Sequence, residues 1–408
     1  MTPDIEHGRR CELPVLEAVH SERALPPTIA MGGGTFEGAA DGSAAPRRHP
    51  EWIKARIPSG ETYQEVRRLL HGLTLNTVCE EAHCPNMSEC WDQRTATVMI
   101  LGDTCTRACG FCAVKTGKPL VHDLDEPRRV AEAIRGLGLD HVVITSVARD
   151  DLDDGGAGIF AETVRRLRAA CPGMGVEVLI PDFNGEEEPL RTVMAAGPDI
   201  LNHNVETVAR LQKPVRKRAR YNRSLGVLLR AKAYAREFGS SAVHTKSSIM
   251  VGLGETRPEL HQTFVDLRAV DCDILTVGQY LRPSAEHLPV ERYYHPDEFA
   301  EMREEALALG FKHVESGPLV RSSYHARDQV PGAEARRAAR AARAGEAPAG
   351  APDDMDKRRL PTYGAQLDPR KASEARVSSC PTGTEAHATR CYSPSLHRSL
   401  RDKEITSG

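Results

Sequence analysis

The chain has 408 residues, of which 40% are hydrophobic and 27% are charged, and its formal net charge is -3. This composition is typical of a globular protein and excludes collagen-like and wholly disordered chains. No apolar run approaches the roughly 18 residues that a membrane helix needs. The small net charge gives no general attraction to nucleic acid or to an anionic membrane surface. We therefore expect a folded protein with neither of these as a partner.

Residues 1–48 combine Gly, Pro, Ala and Ser without a sustained apolar period, which predicts a flexible arm. The arm has no secretory pattern, and its acidic residues disfavour a transit peptide. The 11 cysteines are odd in number, and six of them fall within residues 79–112. Such clustering favours metal or redox chemistry over a disulfide framework, so we expect a reducing, cytoplasmic location.

Short β-branched runs alternate with helical periodicity from residue 96 to residue 330. The strand candidates cover residues 96–101, 141–145, 175–181, 199–206, 246–251 and 274–280. Strands separated by helices predict a parallel sheet, because parallel neighbours need a crossover connection. We expect an α/β fold of the partial (β/α)6 TIM-barrel type, with functional residues on the loops that follow the strands.

The segment 331–408 holds only seven Val, Ile, Leu, Met and Phe residues together, beside an Ala- and Arg-rich run. Burial of so few apolar side chains cannot offset the entropy of ordering the chain. The composition predicts a disordered, low-complexity tail, and a transient helix or a contact with an acidic partner is the alternative.

A loop with three cysteines follows the first strand candidate, in the segment DTCTRACGFCAV. Cys105, Cys109 and Cys112 can hold three irons of a [4Fe-4S] cluster and leave the fourth iron open. A structural zinc site requires a fourth nearby ligand and usually shows paired C-x2-C knuckles, which this segment lacks. The loop resembles the signature of the radical S-adenosylmethionine superfamily, including the aromatic Phe111 before the last cysteine. That resemblance implies that S-adenosylmethionine chelates the open iron and is cleaved to a 5′-deoxyadenosyl radical.

A second cysteine triplet lies upstream, in NTVCEEAHCPNMSECW. The acidic and amide neighbours of Cys79, Cys84 and Cys90 disfavour burial in an apolar core, so a second metal centre is the better interpretation. His71 and His83 could supply further ligands, although a lone surface histidine is the commoner situation. Both histidines stay unassigned.

The two triplets together resemble the lipoyl synthase family, and the likeness extends over about residues 50–326. Its segments include EWIKARIPSGETYQEVRRLL, LNTVCEEAHCPNMSECW, TSVARDDLDDGGA, NHNVET, SSIMVGLGET, VGQYLRPS and GPLVRSSYHA. The resemblance implies insertion of two sulfur atoms at C6 and C8 of a protein-bound octanoyl group. One [4Fe-4S] cluster with S-adenosylmethionine would generate the radical, and a second, auxiliary [4Fe-4S] cluster would supply the sulfur.

By the same resemblance, an N-terminal extension of residues 49–95 holds the auxiliary cluster through Cys79, Cys84 and Cys90, with Ser323 as the fourth ligand. A hard serine oxygen matches iron less well than a thiolate, so this corner should open more easily. The implied partners are octanoylated lipoyl carrier domains, namely 2-oxoacid dehydrogenase E2 subunits and the glycine cleavage H protein. A reductant such as ferredoxin or flavodoxin and an iron-sulfur carrier that repairs the cluster are also implied.

The remaining candidates lie at strand ends. Asn204 and Glu206 are expected to hydrogen-bond S-adenosylmethionine, although a satisfied strand cap is an open alternative. Gly252 and Gly254 permit either a close backbone approach or a simple turn. The segment 215–221, VRKRARY, is more basic than the corresponding family segment and suits a solvated face or a docking surface for an acidic carrier domain.

Two other functions stay open on the residues alone. One is a different two-cluster radical enzyme, such as a methylthiotransferase or a biotin synthase-like protein, although the N-terminal triplet and the RSSY segment disfavour it. The other is a metal-stabilised nucleic-acid-binding module that uses the basic residues 213–220. The missing fourth thiolate in each triplet and the net charge of -3 argue against that module.

Overall fold

The computed structural model describes residues 49–54, 60–73, 75–82, 84–92, 95–120, 122–139, 141–240 and 243–329. The flexible arm predicted for residues 1–48 and the tail predicted for residues 331–408 lie outside these ranges, as does His83. No helix within the described ranges is long and apolar enough to cross a membrane.

Eight strands form one sheet in the order in which they occur along the chain. They are β1 (Asn76–Thr77), β2 (Ala96–Ile100), β3 (His141–Ser146), β4 (Gly175–Leu179), β5 (Ile200–Asn202), β6 (His244–Val251), β7 (Ile274–Gln279) and β8 (His313–Gly317). β1 is antiparallel to β2, and every later pair is parallel. Among the described residues no pairing joins β8 back to β1 or β2, so the sheet is an open, partial barrel, which confirms the predicted fold class.

Ten α-helices connect or flank these strands. They are α1 (Glu61–Gly72), α2 (Val78–Glu81), α3 (Met87–Asp92), α4 (Glu126–Leu137), α5 (Ala157–Ala170), α6 (Glu187–Ala195), α7 (Gln212–Val215), α8 (Tyr221–Glu237), α9 (Arg257–Ala269) and α10 (Pro296–Ala308) within the described ranges. Strand and long helix alternate six times, from β2–α4 to β7–α10, as the sequence predicts. Helical spacing explains the packing: Val130, Ile134 and Leu137 of α4 are all buried in the core beneath the sheet.

Two details of the strand prediction are wrong. The fourth candidate, residues 199–206, is a strand only from Ile200 to Asn202, because the chain then leaves the ladder and Glu206 adopts a left-handed φ of 64°. The sequence pattern also missed β8, which has a single fully buried residue, Val314, and therefore no apolar run. β8 adds a seventh parallel strand after the sixth strand-helix unit.

A charged cluster lies buried among the strands. The carboxylate of Glu177 in β4 accepts hydrogen bonds from Lys246 Nζ of β6 at 3.0 Å and from Asn202 Nδ2 of β5 at 2.9 Å. His141 of β3 places its Nε2 3.7 Å from the same carboxylate. All four residues are almost completely excluded from solvent, so the ion pair is internal. The charge of Lys246 keeps the pKa of Glu177 below its usual value although burial raises it.

The parallel arrangement decides where the functional loops meet. The carboxyl ends of parallel strands share one edge of the sheet, and the loops after the strands therefore lie side by side. Five of those loops carry residues of the candidate site: Cys105 after β2, Asp150 after β3, Asp182 after β4, Glu206 after β5 and Arg321 after β8.

Candidate active site

The loop after β2, with Cys105, Cys109 and Cys112, is held by backbone hydrogen bonds to other strand-end loops. Gly110 N donates to Val215 O at 2.9 Å, and Leu288 N donates to Gly110 O at 3.0 Å. A Cβ at Gly110 would lie 2.9 Å from the Leu288 side chain and 3.2 Å from the Pro214 carbonyl oxygen. A larger residue at this position would require these neighbours to move apart.

The three thiols of this loop lie close enough to act on one another electrostatically. Burial raises the pKa of Cys109 to about 11 and that of Cys112 to about 12, and the neighbouring thiols add to both shifts. The backbone N–H groups of Arg107 and Ala148 point at Cys105 Sγ from 3.4 and 3.3 Å. Iron-bound cysteine is deprotonated, so iron binding would displace the protons that burial retains, and the two N–H groups would stabilise the resulting thiolate. These residues fit a cluster-binding loop.

Arg107 connects the cysteine loop to the ends of two strands. Its buried guanidinium donates to both carboxylate oxygens of Asp150, at 2.6 and 2.8 Å, and lies 2.7 Å from Asp182. Burial alone would raise the pKa of Asp182, but the charge of Arg107 lowers it to about 2. The bidentate geometry fixes the orientation of the loop between Cys105 and Cys109.

Asn204 and Glu206 lie in the loop after β5, the strand that pairs with β4. Asn204 Nδ2 donates to Glu206 Oε1 at 2.9 Å, whereas the buried Asn204 Oδ1 has no hydrogen-bond partner among the described residues. The charge of Glu206 acts on both Cys109 and Cys112, so the fold brings these acceptors beside the cysteine loop. An unpaired amide oxygen beside a carboxylate can accept hydrogen bonds from a ligand ammonium group.

Arg216 lies near Glu206, and sequence reasoning did not single it out. Its side chain is 8% exposed and donates from Nη1 to Ser224 Oγ and to Val205 O, both at 3.2 Å. The charge of Arg216 opposes the increase in pKa that burial causes at Glu206. These groups match the two charged ends of an α-amino acid. The Arg216 guanidinium suits the carboxylate, and the Glu206 carboxylate with Asn204 Oδ1 suits the amino group.

The expectation of a solvated basic face at residues 215–221 is therefore wrong for Arg216. It holds for the neighbouring cations, since Lys213, Lys217, Arg218 and Arg220 are exposed. The sequence carries no signal for this difference, because adjacent arginines look alike until the fold turns one of them inward.

Phe111 and Gly252 have structural surroundings that the sequence left open. Phe111 packs against a small apolar cluster formed by Val215, Leu253 and Tyr280. A Cβ at Gly252, where φ is +98°, would lie 2.4 Å from Arg292 O. The close backbone approach at this glycine is therefore to another segment of the same chain.

The second triplet lies on the two short helices and the turn before β2. Cys79 belongs to α2, Cys90 to α3, and Cys84 to the turn between them. Burial raises the pKa of all three thiols, to about 12 for Cys79, and their mutual electrostatic effects show that they are neighbours. In the described part of the chain no three His, Cys, Asp or Glu side chains are arranged to hold one metal ion. A cubane cluster, by contrast, binds each thiolate to a different iron.

A clamp of hydrogen bonds holds the segment after β8 against this triplet. Asn86 Nδ2 donates to Leu319 O at 2.6 Å. The Glu89 carboxylate accepts a hydrogen bond from Tyr324 OH at 3.2 Å and lies 3.4 Å from His325 Nε2. The half-buried Ser323 lies in the turn between Arg321 and Tyr324, which interact electrostatically with Cys84 and Cys90 although they are more than two hundred residues away in sequence.

Arg321, at the start of that turn, lies between the two cysteine sites. Its charge acts on Cys84 on one side and on Glu206 on the other. Its Nη1 donates to Val320 O at 2.7 Å, and a Cβ at Gly278 in β7 would lie 2.0 Å from the same carbonyl oxygen. The bare backbone of Gly278 thus lets the segment dock on the sheet and bring the two sites together.

The radical SAM superfamily model matches residues 99–267, which run from β2 into α9. A strand-helix barrel with a three-cysteine loop at its carboxyl edge, together with this match, defines the chain as a radical SAM enzyme. A model of the N-terminal domain of lipoyl synthase of the radical SAM family matches residues 38–84. Lipoyl synthase from Symbiobacterium thermophilum is 60% identical over 301 residues, which cover 73% of this chain and 92% of the relative. The chain belongs to the lipoyl synthase family.

Other similar proteins accompany these matches. Lipoyl synthase from Rubrobacter xylanophilus is 56% identical over 294 residues, or 72% of this chain and 89% of the relative. A crystal structure of methylornithine synthase is similar over 62% of this chain and 82% of its own, with 14% identity and a TM-score of 0.40.

Membership of the lipoyl synthase family confirms the predicted cofactors, S-adenosylmethionine and [4Fe-4S] clusters. It also favours the predicted lipoyl synthase function over the nucleic-acid-binding module, which was the less favoured alternative.

Proposed function

We propose that this chain inserts two sulfur atoms, at C6 and C8, into an octanoyl group that is amide-linked to a lysine of a carrier domain. When bound, one cluster with S-adenosylmethionine supplies the 5′-deoxyadenosyl radical, and the auxiliary cluster supplies the sulfur. The observation that carries the proposal is that Arg321 lies between the two cysteine triplets, because its charge acts on Cys84 of one triplet and on Glu206, which in turn acts on Cys109 and Cys112 of the other.

Cys105, Cys109 and Cys112 hold the cluster that S-adenosylmethionine completes, and they are the catalytic cysteines. Asn204 and Glu206 accept hydrogen bonds from the amino group of S-adenosylmethionine, and Arg216 binds its carboxylate. Phe111 supplies an apolar wall next to them. The unpaired Asn204 Oδ1 and the inward-facing Arg216 support this arrangement.

Cys79, Cys84 and Cys90 hold the auxiliary cluster, and Ser323 is its fourth ligand. The clamp between Asn86 and Leu319, and between Glu89 and Tyr324, supports the assignment because it keeps the Ser323 turn beside the triplet. A serine oxygen suits a corner that must open, since its match to iron is poorer than that of sulfur.

The substrate explains why no acid-base pair is needed. No side-chain base removes a proton from an unactivated alkyl carbon, so the difficult chemistry belongs to the cofactors. The residues of the chain position the octanoyl chain between the two triplets and exclude water from it. Arg107 contributes by fixing the cysteine loop on Asp150 and Asp182.

We propose octanoylated E2 subunits and the glycine cleavage H protein as carriers, ferredoxin or flavodoxin as the reductant, and an iron-sulfur carrier for repair. Lys213, Lys217 and Arg220 are exposed near the cysteine loop and support docking of an acidic carrier.

The two cysteine triplets favour the cytoplasm as the site of action, because a reducing compartment preserves free thiols. The 49–95 extension and the 96–330 barrel are proposed as the two functional parts of the enzyme.

The test is anaerobic reconstitution with iron and labelled sulfide, followed by assay on an octanoylated carrier peptide. Wild type should bind about eight irons, as two [4Fe-4S] clusters require. The labelled sulfur should appear in the lipoyl product, at about one lipoyl group per chain without a repair system, because the auxiliary cluster is consumed.

Cys84→Ala is the matched comparison for the radical site. It should bind about four irons and still cleave S-adenosylmethionine, yet form no lipoyl product. Zinc without sulfide in the wild-type protein, or repeated turnover that yields unlabelled product, would contradict the proposal.

A further inference from the structure

His203 lies in the loop after β5, and both nitrogens of its buried ring have hydrogen-bond partners. Nδ1 is 2.9 Å from the carbonyl oxygen of Ile180, and Nε2 is 3.0 Å from Ser224 Oγ of α8. A carbonyl oxygen can only accept, so Nδ1 carries a hydrogen and donates to it. In a neutral ring Nε2 then accepts, and the hydroxyl of Ser224 is its donor.

The same contacts decide the protonation state of His203. A ring with both nitrogens protonated would donate to Ser224 from Nε2, and the hydroxyl hydrogen of Ser224 would then have no acceptor in the described part of the chain. Both side chains belong to residues that are at most 1% exposed, so bulk water cannot replace that acceptor. Burial lowers the pKa of His203 to about 4, in agreement with a neutral ring.

Ser224 connects this histidine to Arg216. Its oxygen accepts a hydrogen bond from Arg216 Nη1 at 3.2 Å, and the same Nη1 donates to Val205 O, also at 3.2 Å. Nη1 carries two hydrogens, so both of them are used within the chain. Among the described residues, Nε and Nη2 of Arg216 have no hydrogen-bond partner. The edge formed by Nε and Nη2 therefore keeps two parallel N–H groups for a ligand, which is the geometry that binds a carboxylate through both oxygens.

Two hydrogen bonds place Arg216 within the candidate active site. Val205, whose carbonyl oxygen accepts from Arg216, lies in sequence between the two residues proposed to bind the amino group of S-adenosylmethionine. Val215, which precedes Arg216, accepts a hydrogen bond from Gly110 N of the cysteine loop at 2.9 Å. The arginine is thus attached to the loop after β5 by its side chain and to the cysteine loop through its neighbour.

We propose that His203 and Ser224 are positioning residues for S-adenosylmethionine, because they fix the orientation of Arg216. His203 is anchored on Ile180 O, Ser224 donates to His203, and Arg216 donates to Ser224, so that the Nε–Nη2 edge is held ready for the carboxylate of S-adenosylmethionine. Both residues act through Arg216 rather than by contact with the ligand. An arginine that is already ordered loses less conformational entropy when it binds. The inference rests on the proposed function, since it requires Arg216 to bind that carboxylate.

The first experiment measures the equilibrium affinity of the reconstituted full chain for S-adenosylmethionine and the rate of 5′-deoxyadenosine formation at saturation. Ser224→Ala should weaken binding roughly threefold to tenfold and leave the saturated rate nearly unchanged. Thr163→Val is the matched control, because Thr163 is also 0% exposed and its hydroxyl donates to Ile159 O within α5. We expect this control to bind like wild type, and an equal loss of affinity in both variants would overturn the inference.

A double-variant cycle shows whether Ser224 acts through Arg216. Arg216→Gln removes the guanidinium, so the addition of Ser224→Ala should cause no further loss of affinity. Independent losses that add together would overturn the inference and leave the proposed function intact. If Arg216→Gln binds S-adenosylmethionine as tightly as wild type, the assignment of Arg216 in the proposed function is wrong, and the inference fails with it.

Two variants test the histidine end of the chain of hydrogen bonds. His203→Asn keeps an amide donor close to the position of Nδ1 and removes the acceptor for Ser224, so it should weaken binding as Ser224→Ala does. His203→Gln extends its amide toward the position of Nε2 and should bind S-adenosylmethionine more tightly than His203→Asn. The reverse order of affinities would contradict the proposed role of Nε2.

The hydrogen position on His203 can also be measured in the wild-type chain without any cofactor. Labelling with ¹⁵N-histidine gives distinct signals for protonated and bare ring nitrogens, and the pair that is missing from His203→Gln identifies His203 among the 16 histidines. We expect the hydrogen on Nδ1 and a bare Nε2. A hydrogen on Nε2 alone, or on both nitrogens, would refute the donation from Ser224 to His203.

Discussion

The buried ion pair between Glu177 and Lys246 allows a test of how the barrel is stabilised. Lys246→Met keeps the length and much of the volume of the side chain but removes the ammonium group 3.0 Å from the Glu177 carboxylate. Asn202 then donates the main remaining hydrogen bond to a carboxylate with 0% exposure. Leaving one buried charge without its partner costs about 3–5 kcal/mol, which corresponds to a decrease in melting temperature of roughly 6 to 20 °C.

The second variant combines Lys246→Met with Glu177→Gln. The neutral amide can still accept from Asn202, and no uncompensated charge remains, so the double variant should lose much less stability than Lys246→Met alone. Melting temperatures of the single variants, the double variant and wild type, measured by far-UV circular dichroism under one set of conditions, give the coupling between the two positions.

The same pair has a defined pH dependence. In wild type the pKa of Glu177 is below its usual value, so its stabilising contribution is present above pH 4.5 and is lost as the pH falls further. In Lys246→Met, burial without the lysine should raise the pKa of Glu177, so the stability deficit should shrink between pH 8 and pH 5.5 as the carboxylate takes up a proton. A double variant as unstable as Lys246→Met, or a deficit that does not change with pH, would refute this reasoning.

Three substitutions test the two sites, and one truncation tests the C-terminal segment. Cys112→Ala should abolish both S-adenosylmethionine cleavage and product formation, and 5′-deoxyadenosine above background in an anaerobic assay would contradict this. Arg216→Gln should weaken S-adenosylmethionine binding by roughly tenfold to a hundredfold, measured by equilibrium binding, because it removes a hydrogen bond to a charged group. Gly278→Val should lower auxiliary iron content but preserve cleavage of S-adenosylmethionine, because its side chain would collide with Val320 O; full iron loading would show that the segment docks otherwise. Removal of residues 331–408 should change the melting temperature little, and a collapse of soluble yield would disprove it.

Strand-helix alternation and cysteine spacing are local patterns, and both could be read from the sequence. The six repeats and the loop at Cys105 follow from them, since β-branched runs and helical periods need no knowledge of distant neighbours. β8 could not be found this way, because its stability comes from pairing with β7 rather than from an apolar run of its own.

The arrangement of charges around the site could not be predicted from the sequence either, because it depends on residues that are distant along the chain. Arg216 is indistinguishable from its basic neighbours until α8 and the loop after β5 enclose it. The role of Ser323 rested on the family resemblance alone, and the clamp through Glu89 and Asn86 is a tertiary feature that no local pattern predicts.

The clamp between the N-terminal triplet and the turn after β8 also sets an order of events during synthesis. Asn86 and Leu319 are 233 positions apart, so their hydrogen bond can form only after all six strand-helix units between them have been synthesised. Cys105, Cys109 and Cys112, by contrast, lie within eight residues of one another. The ribosome therefore delivers the three thiols of this loop together, whereas the second site waits for a turn that is among the last parts of the described chain to be made.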